Sequence, residues 1–210
     1  MVGSHRKKIS TKAYLFRFMS PFVASLLLSC SVGDNPRWYD LYPDWVDSGL
    51  DQRDRVLAMP VTSVDQFPTT GSARFSGWFL GTLSGCPFGN SCTGESAAYG
   101  TASMNVDFGG PSASLQTNSM NVRYSNGGTY INLVRPMTGD IDISGSAISG
   151  RIDSWVPPGY YTNPYHGQGT VNGAFRGDGP DGAMLTFNGT LEAETQPTVG
   201  LTGVITLEAQ

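Results

Sequence analysis

Lysine is absent from this chain after Lys12, histidine recurs only once after His5, at His166, and charged residues make up just 14% of the whole. The missing lysine excludes a Gly-rich phosphate loop, whose closing Lys-Ser/Thr it cannot supply. No Gly-x-Ser-x-Gly elbow is present to expose a serine nucleophile. With a pI of about 5.0 the chain also lacks the positive field that draws in phosphates, which excludes a nucleic-acid partner. No apolar run approaches the roughly twenty residues that a membrane-crossing helix needs. What is abundant is glycine, 27 residues with no three-residue period, alongside 10 Phe, 9 Tyr and 4 Trp. That mixture is neither collagen nor disordered chain, and it points to a turn-dense all-β domain. A length of 210 residues accommodates one domain plus a tail.

The few charges are sharply segregated. All three lysines and two of the ten arginines precede residue 30, all 17 acids follow it, and the chain beyond carries a net charge of −9. The basic stretch ends at Arg17 and gives way to the apolar run Phe18–Leu28, the order of a secretory signal peptide. Its eleven residues are too few for a spanning anchor, and Pro21 weakens a helix there. The run closes on Leu27-Leu28-Ser29-Cys30, which resembles the lipobox of bacterial lipoproteins. The resemblance implies that Cys30 becomes an acylated N-terminus, tied stably to the membrane by its chains. Ser31 rather than Asp follows, which favours the outer membrane over retention at the inner one. Cys86 and Cys92 then remain as an even pair, and their spacing suits a disulfide closing a small loop in an oxidising compartment. Two cysteines without a nearby histidine cannot fill a four-coordinate zinc site.

Residues 1–29 therefore read as a lipoprotein signal peptide, 30–69 as a lipidated N-terminus and mostly irregular tether, and 70–210 as the folded domain. In the tether, Pro36, Pro43, Pro60 and Pro68 interrupt any long helix. Asp47–Ala58 permits a short one, with Asp51 and Arg55 spaced to pair at i, i+4. Trp38, Tyr39, Tyr42 and Trp45 supply rings that dock some part of the segment on its own domain, or offer a patch to a partner.

From Gly71 the pattern changes to short alternating segments separated by Gly, Asn and Asp. In Ala98–Phe108 the cleanest alternation sets Ala102, Met104, Val106 and Phe108 against Thr101, Ser103, Asn105 and Asp107. Similar segments recur to residue 209, joined by turn sequences such as Gly109-Gly110-Pro111 and Asp178-Gly179-Pro180-Asp181-Gly182. The expectation is a single antiparallel up-and-down β-barrel of about eight strands. Ser, Gly and Thr are too frequent on the alternate faces to make the apolar band of an integral membrane barrel.

The string Phe67-Pro68-Thr69-Thr70-Gly71-Ser72-Ala73-Arg74-Phe75-Ser76-Gly77 resembles the opening of the β-barrel domain of transferrin-binding protein B and its relatives, which are bacterial surface lipoproteins. Tyr99–Phe108, Gly145–Gly150 and Gly169–Gly177 are similar to later strands of that family. The resemblance spans residues 67–205 and implies a barrel on a surface lipoprotein. It carries over no transferrin-contacting residue, because the family recognises its partner through variable loops and handle domains. Family receptors have two lobes, whereas this chain has room for one barrel.

The catalytic inventory is thin, and the chain reads as a non-enzyme with no resident cofactor. Asp140 and Asp142 share one strand face, where a pair of carboxylates could hold Ca²⁺ or work as acid and base, but a solvated outer wall also explains them. The most informative stretch is Val156–Gly167, longer than a hairpin needs, with Tyr160, Tyr161, Tyr165 and His166. Tyr-rich loops on a rigid β scaffold make binding surfaces, and Tyr with His also suits haem iron. The functional expectation is an outer-membrane-anchored scaffold that binds a protein or an iron- or haem-carrying ligand through its loops. An envelope structural or assembly lipoprotein is the alternative.

Overall fold

The computed structural model describes residues 46–84, 96–118, 120–124, 129–154, 165–193 and 196–210. Cys30, Trp38, Tyr39, Tyr42, Trp45, Cys86, Cys92, Tyr160 and Tyr161 lie outside the described residues. Among the described residues, a helix α1 (Asp47–Ala58) and a 3-10 turn (Val64–Gln66) lead into ten strands. These are β1 (Ser72–Ser84), β2 (Ser96–Asp107), β3 (Ser112–Thr117), β4 (Met120–Tyr124) and β5 (Thr129–Val134), then β6 (Met137–Ser144), β7 (Ala147–Ser154), β8 (His166–Arg176), β9 (Gly182–Ala193) and β10 (Gln196–Ala209).

Registers reduce the ten to eight. β3 and β4 both pair with β2, Ala102 opposite Thr117 and Tyr99 opposite Asn121, so the two residues between them on β2 correspond to three on the partner. One extra residue at this point is a β-bulge within a single long strand. β5 and β6 likewise continue one another, β5 along β4 and β6 along β3, with Arg135-Pro136 at the break. Pro cannot donate to a ladder, so the interruption falls where the chain has no N–H to offer. The result is an antiparallel meander closed by β1 pairing with β10, from Phe75 opposite Ala209 to Ser84 opposite Gly200. An eight-stranded up-and-down barrel is what the alternation predicts.

Alternation sets the inner face. Ala102, Met104 and Val106 of β2 are buried while Thr101, Asn105 and Asp107 are exposed, as a period of two requires. The same parity turns Asp140 and Asp142 to the exposed outer wall, opposite Ser114 and Ser112. Inside, two cross-strand glycine pairs make room for rings. Gly81 stands opposite Gly203 between β1 and β10, and Gly169 opposite Gly189 between β8 and β9. A Cβ on Gly203 would lie 2.6 Å from the Leu80 carbonyl oxygen and 3.0 Å from Phe79 Cζ; on Gly189 it would lie 2.1 Å from the Gln168 oxygen and 2.7 Å from Phe187 Cζ. Phe79 and Phe187 thus lie over the two pairs and meet edge to face, ring centroids 5.5 Å apart.

One end of the barrel is stoppered. Phe67, just after the 3-10 turn, packs against Phe108 at 5.4 Å and Phe175 at 5.2 Å, and Phe175 in turn meets Phe75. The strap that delivers Phe67 is stitched to the end of β8: Thr62 N–H donates to the Phe175 carbonyl at 3.0 Å and Gly177 N–H to the Pro60 carbonyl at 2.9 Å.

The helix lies outside, on β1, β9 and β10. Gly49, Gln52 and Val56 form its buried stripe, and Val46 joins Leu80, Ala97, Tyr99 and Val204 in a small outer core. Gly49 is needed because a Cβ there would come within 2.8 Å of the Trp78 indole. The expected Asp51–Arg55 pair is replaced by a stronger one. Arg55 reaches across to Glu208 on β10 with both Nε and Nη2, each 2.9 Å from a carboxylate oxygen. A guanidinium holds a carboxylate more firmly through two parallel N–H···O bonds than through one. Arg176 of β8 holds the other end, its Nη1 donating to the Met59 carbonyl at 2.9 Å and the Leu57 carbonyl at 3.2 Å, where the helix dipole favours a cation. Burial holds the Arg176 pKa below its ordinary value.

Truncating Phe187 to Ala is expected to cost about 3–5 kcal/mol in urea unfolding, the loss typical of a buried ring. The hydrogen bonds from Arg55 hold the Glu208 pKa below its ordinary value. A depressed carboxylate stabilises the fold above its unfolded pKa, and that contribution disappears as pH falls through the folded value. Glu208→Gln is therefore expected to melt slightly earlier than the native chain at neutral pH, with the gap closing below pH about 4. Melting curves across that range decide it.

Candidate functional site

Tracing the strands up and down separates the connections into two sets. Between β2 and β3, β6 and β7, and β8 and β9 the chain turns at the stoppered end, within residues 108–111, 145–146 and 177–181. Residues 85–95, 125–128, 155–164 and 194–195 all connect strand ends at the opposite end. Both long connections, the one holding Cys86 and Cys92 and the one holding Tyr160 and Tyr161, therefore spring from the same rim. Spacing along the chain does not say this; strand parity does.

The stem of the Tyr-rich connection is tightly made. It leaves β7 at Ser154 and returns at Tyr165, whose backbone bridges Val134 in parallel and whose carbonyl accepts from Arg135 N–H at 3.1 Å. The Ser154 hydroxyl joins both sides, accepting from Gly167 N–H at 2.9 Å and donating to the Arg135 carbonyl at 3.3 Å. Gly167 fits because a Cβ there would meet Met137 Sδ at 2.6 Å. The Tyr165 side chain is fully buried within the main core, and burial raises its pKa. It props the rim rather than facing outward, so the four residues grouped by the sequence do not share one surface.

His166 points the other way. It is exposed on the outer wall and stands opposite Glu192 of β9. Beside it runs a polar ladder: Arg151 Nη2 donates to Gln168 Oε1 at 2.8 Å, and Gln168 Nε2 to Glu192 Oε1 at 2.8 Å. These groups are exposed hydrogen-bonding partners of one another on the outer wall. Among the described residues, no three His, Cys, Asp or Glu side chains stand together. Two features escape sequence reading, the Arg55–Glu208 clamp and the Arg176 cap on α1. Both join residues more than a hundred positions apart, and no local spacing encodes them.

No family model and no curated protein matches the chain. Among solved structures it is similar to a single-residue mutant of the vaccine antigen transferrin-binding protein B from Haemophilus parasuis, at 18% identity and a TM-score of 0.48, over 71% of this chain and 28% of that one. It is also similar to isotype 1 transferrin-binding protein B from serogroup B Neisseria meningitidis, at 17% identity and a TM-score of 0.41, over 72% of this chain and 28% of that one. This chain spans less than a third of the length of either.

Substituting Tyr165 by Ala is expected to destabilise the barrel by about 3–5 kcal/mol, as for any buried ring. His166→Ala is expected to leave stability within about 0.5 kcal/mol. Denaturant titration of the two variants checks the division between prop and surface.

Proposed function

We propose that this protein is a lipid-anchored component of the bacterial outer membrane that recognises a partner with the loops at one end of its barrel. Residues 1–29 direct export, Cys30 carries the acyl chains, and residues 30–69 connect them to the barrel of 70–210. The partner is a protein or an iron- or haem-carrying ligand. Tyr160 and Tyr161 supply amphipathic contact area, His166 and its ladder flank them, and the segment bridged by a Cys86–Cys92 disulfide completes the rim. The observation that carries this reading is the asymmetry of the barrel: short turns and the Phe67 stopper at one end, both long connections at the other. A rigid closed scaffold whose two long connections leave from one rim is suited to holding contact residues in place. The lipobox-like Leu27–Cys30 and the family-like strings from Phe67 onward support the anchor and the surface location.

Two measurements test it. Protease added to intact cells expressing the native chain should cut the barrel while a periplasmic marker survives. Protection until the outer membrane is broken would favour an envelope-assembly role inside the cell wall. Replacing Tyr160 and Tyr161 together by Ser should lower capture of host serum proteins by those cells at least about tenfold, since paired aromatic contacts dominate such interfaces. Melting behaviour should be unchanged, and undiminished capture by the folded variant would remove the loop from the account.

A further inference from the structure

A recess of about 620 Å³ lies on the flank of the barrel, away from the loop-bearing rim, between α1 and the outer faces of β1, β2 and β3. Its floor is laid out by register, with Trp78 opposite Thr101 and Ser103 opposite Gln116. Asn118, just past β3, donates its side-chain amide to the Thr101 hydroxyl and fixes that corner. Trp78 is half-buried and held by Gly49 against its indole, so its orientation is set before any ligand arrives. Arg74 stands along the same floor and differs from the arginines of α1. Arg53 is held by Asp54 and Arg55 by Glu208, whereas Arg74 has no ion pair or side-chain hydrogen bond among the described residues. Ser103 and Gln116 are also without side-chain partners among the described residues.

We propose that this recess binds an acidic saccharide, a short stretch of a carbohydrate that carries a carboxylate. An arginine fork matches a carboxylate in plane and in spacing. Hydroxyl and amide groups both donate and accept, as the hydroxyls of a sugar do. The part of Trp78 that lines the recess adds apolar surface against which a sugar ring packs. Size agrees, since recesses of several hundred Å³ hold small ligands. A peptide fits less well. The floor strands are paired on both sides, so they offer no free backbone edge to an added strand. A dense polyanion is disfavoured as well, because Arg74 is the one arginine of the recess without an ion pair among the described residues, on a chain whose net charge beyond residue 30 is −9.

Saturation-transfer NMR and titration calorimetry on the purified full-length chain, with trigalacturonate and its methyl ester as probes, test the proposal. The acid is expected to bind with a dissociation constant in the millimolar range or tighter, and the ester at least about tenfold more weakly, as loss of a charge-assisted pair implies. Arg74→Gln should bring the acid down to the level of the ester, while Gln116→Ala should weaken both forms alike. Both positions are exposed, so melting curves should stay at the native value. Equal binding of acid and ester by the native chain overturns the proposal, as does the absence of any transfer at millimolar sugar. The ester comparison uses the native chain and so remains decisive even where a variant fails to fold.

Discussion

Ladder pairing between β1 and β10 turns an open meander into a tube, and the interior of that tube sets what its strands can carry. At several points of this tube a neighbouring backbone oxygen lies closer than any Cβ allows. Two such points on the inner wall matter for the core. Glycine occupies those points in facing pairs, Gly81 with Gly203 and Gly169 with Gly189. Glycine alone would leave a void and lose burial, so Phe79 and Phe187 lie over the pairs and restore both packing and apolar area. Gly203 faces Gly81 on one side and Phe187 on the other, which couples closure of the barrel to filling of its core.

The closed tube then has two ends with different fates. At one, the chain enters by a strap whose backbone bonds to the end of β8 and whose Phe67 completes a cluster with Phe75, Phe108 and Phe175. The helix before the strap has a thin buried stripe, and propensity alone would hold it weakly. Its attachment comes from long-range polar contacts, Arg55 to Glu208 at the wall and Arg176 to the helix C-terminus. At the other end no described segment plays the part of Phe67, and the long connections spring from there. Tyr165 and the Ser154 hydroxyl brace the base of one of them.

Two surfaces follow from this division. Both long connections spring from one rim, which we propose as the recognition end, and the flank beside α1 carries a polar floor along which Arg74 stands without an ion pair among the described residues. On the proposed reading the barrel holds one contact at its rim and another along its side, since closure joins the two through one continuous wall.

Much of this fold is legible in the amino-acid sequence, and for a clear reason. A period of two in Ala98–Phe108 and its neighbours can only be a half-buried strand, and Gly-Pro and Asn-Gly turns at short intervals leave no length for crossovers. The helix bounds are legible as well, from the prolines and charges around Asp47–Ala58. The register at which the barrel closes, the pairing of glycines under rings, and the joining of β3 with β4 and of β5 with β6 are not, because register is a relation between distant strands. The same limit governs the site. Tyr165 and His166 are adjacent in sequence and group as one surface by spacing, yet strand parity buries the first and exposes the second. Local chemistry thus determined the elements and the composition of the loops, while tertiary structure alone decided which residues face each other, since long-range pairing is settled by packing and not by spacing.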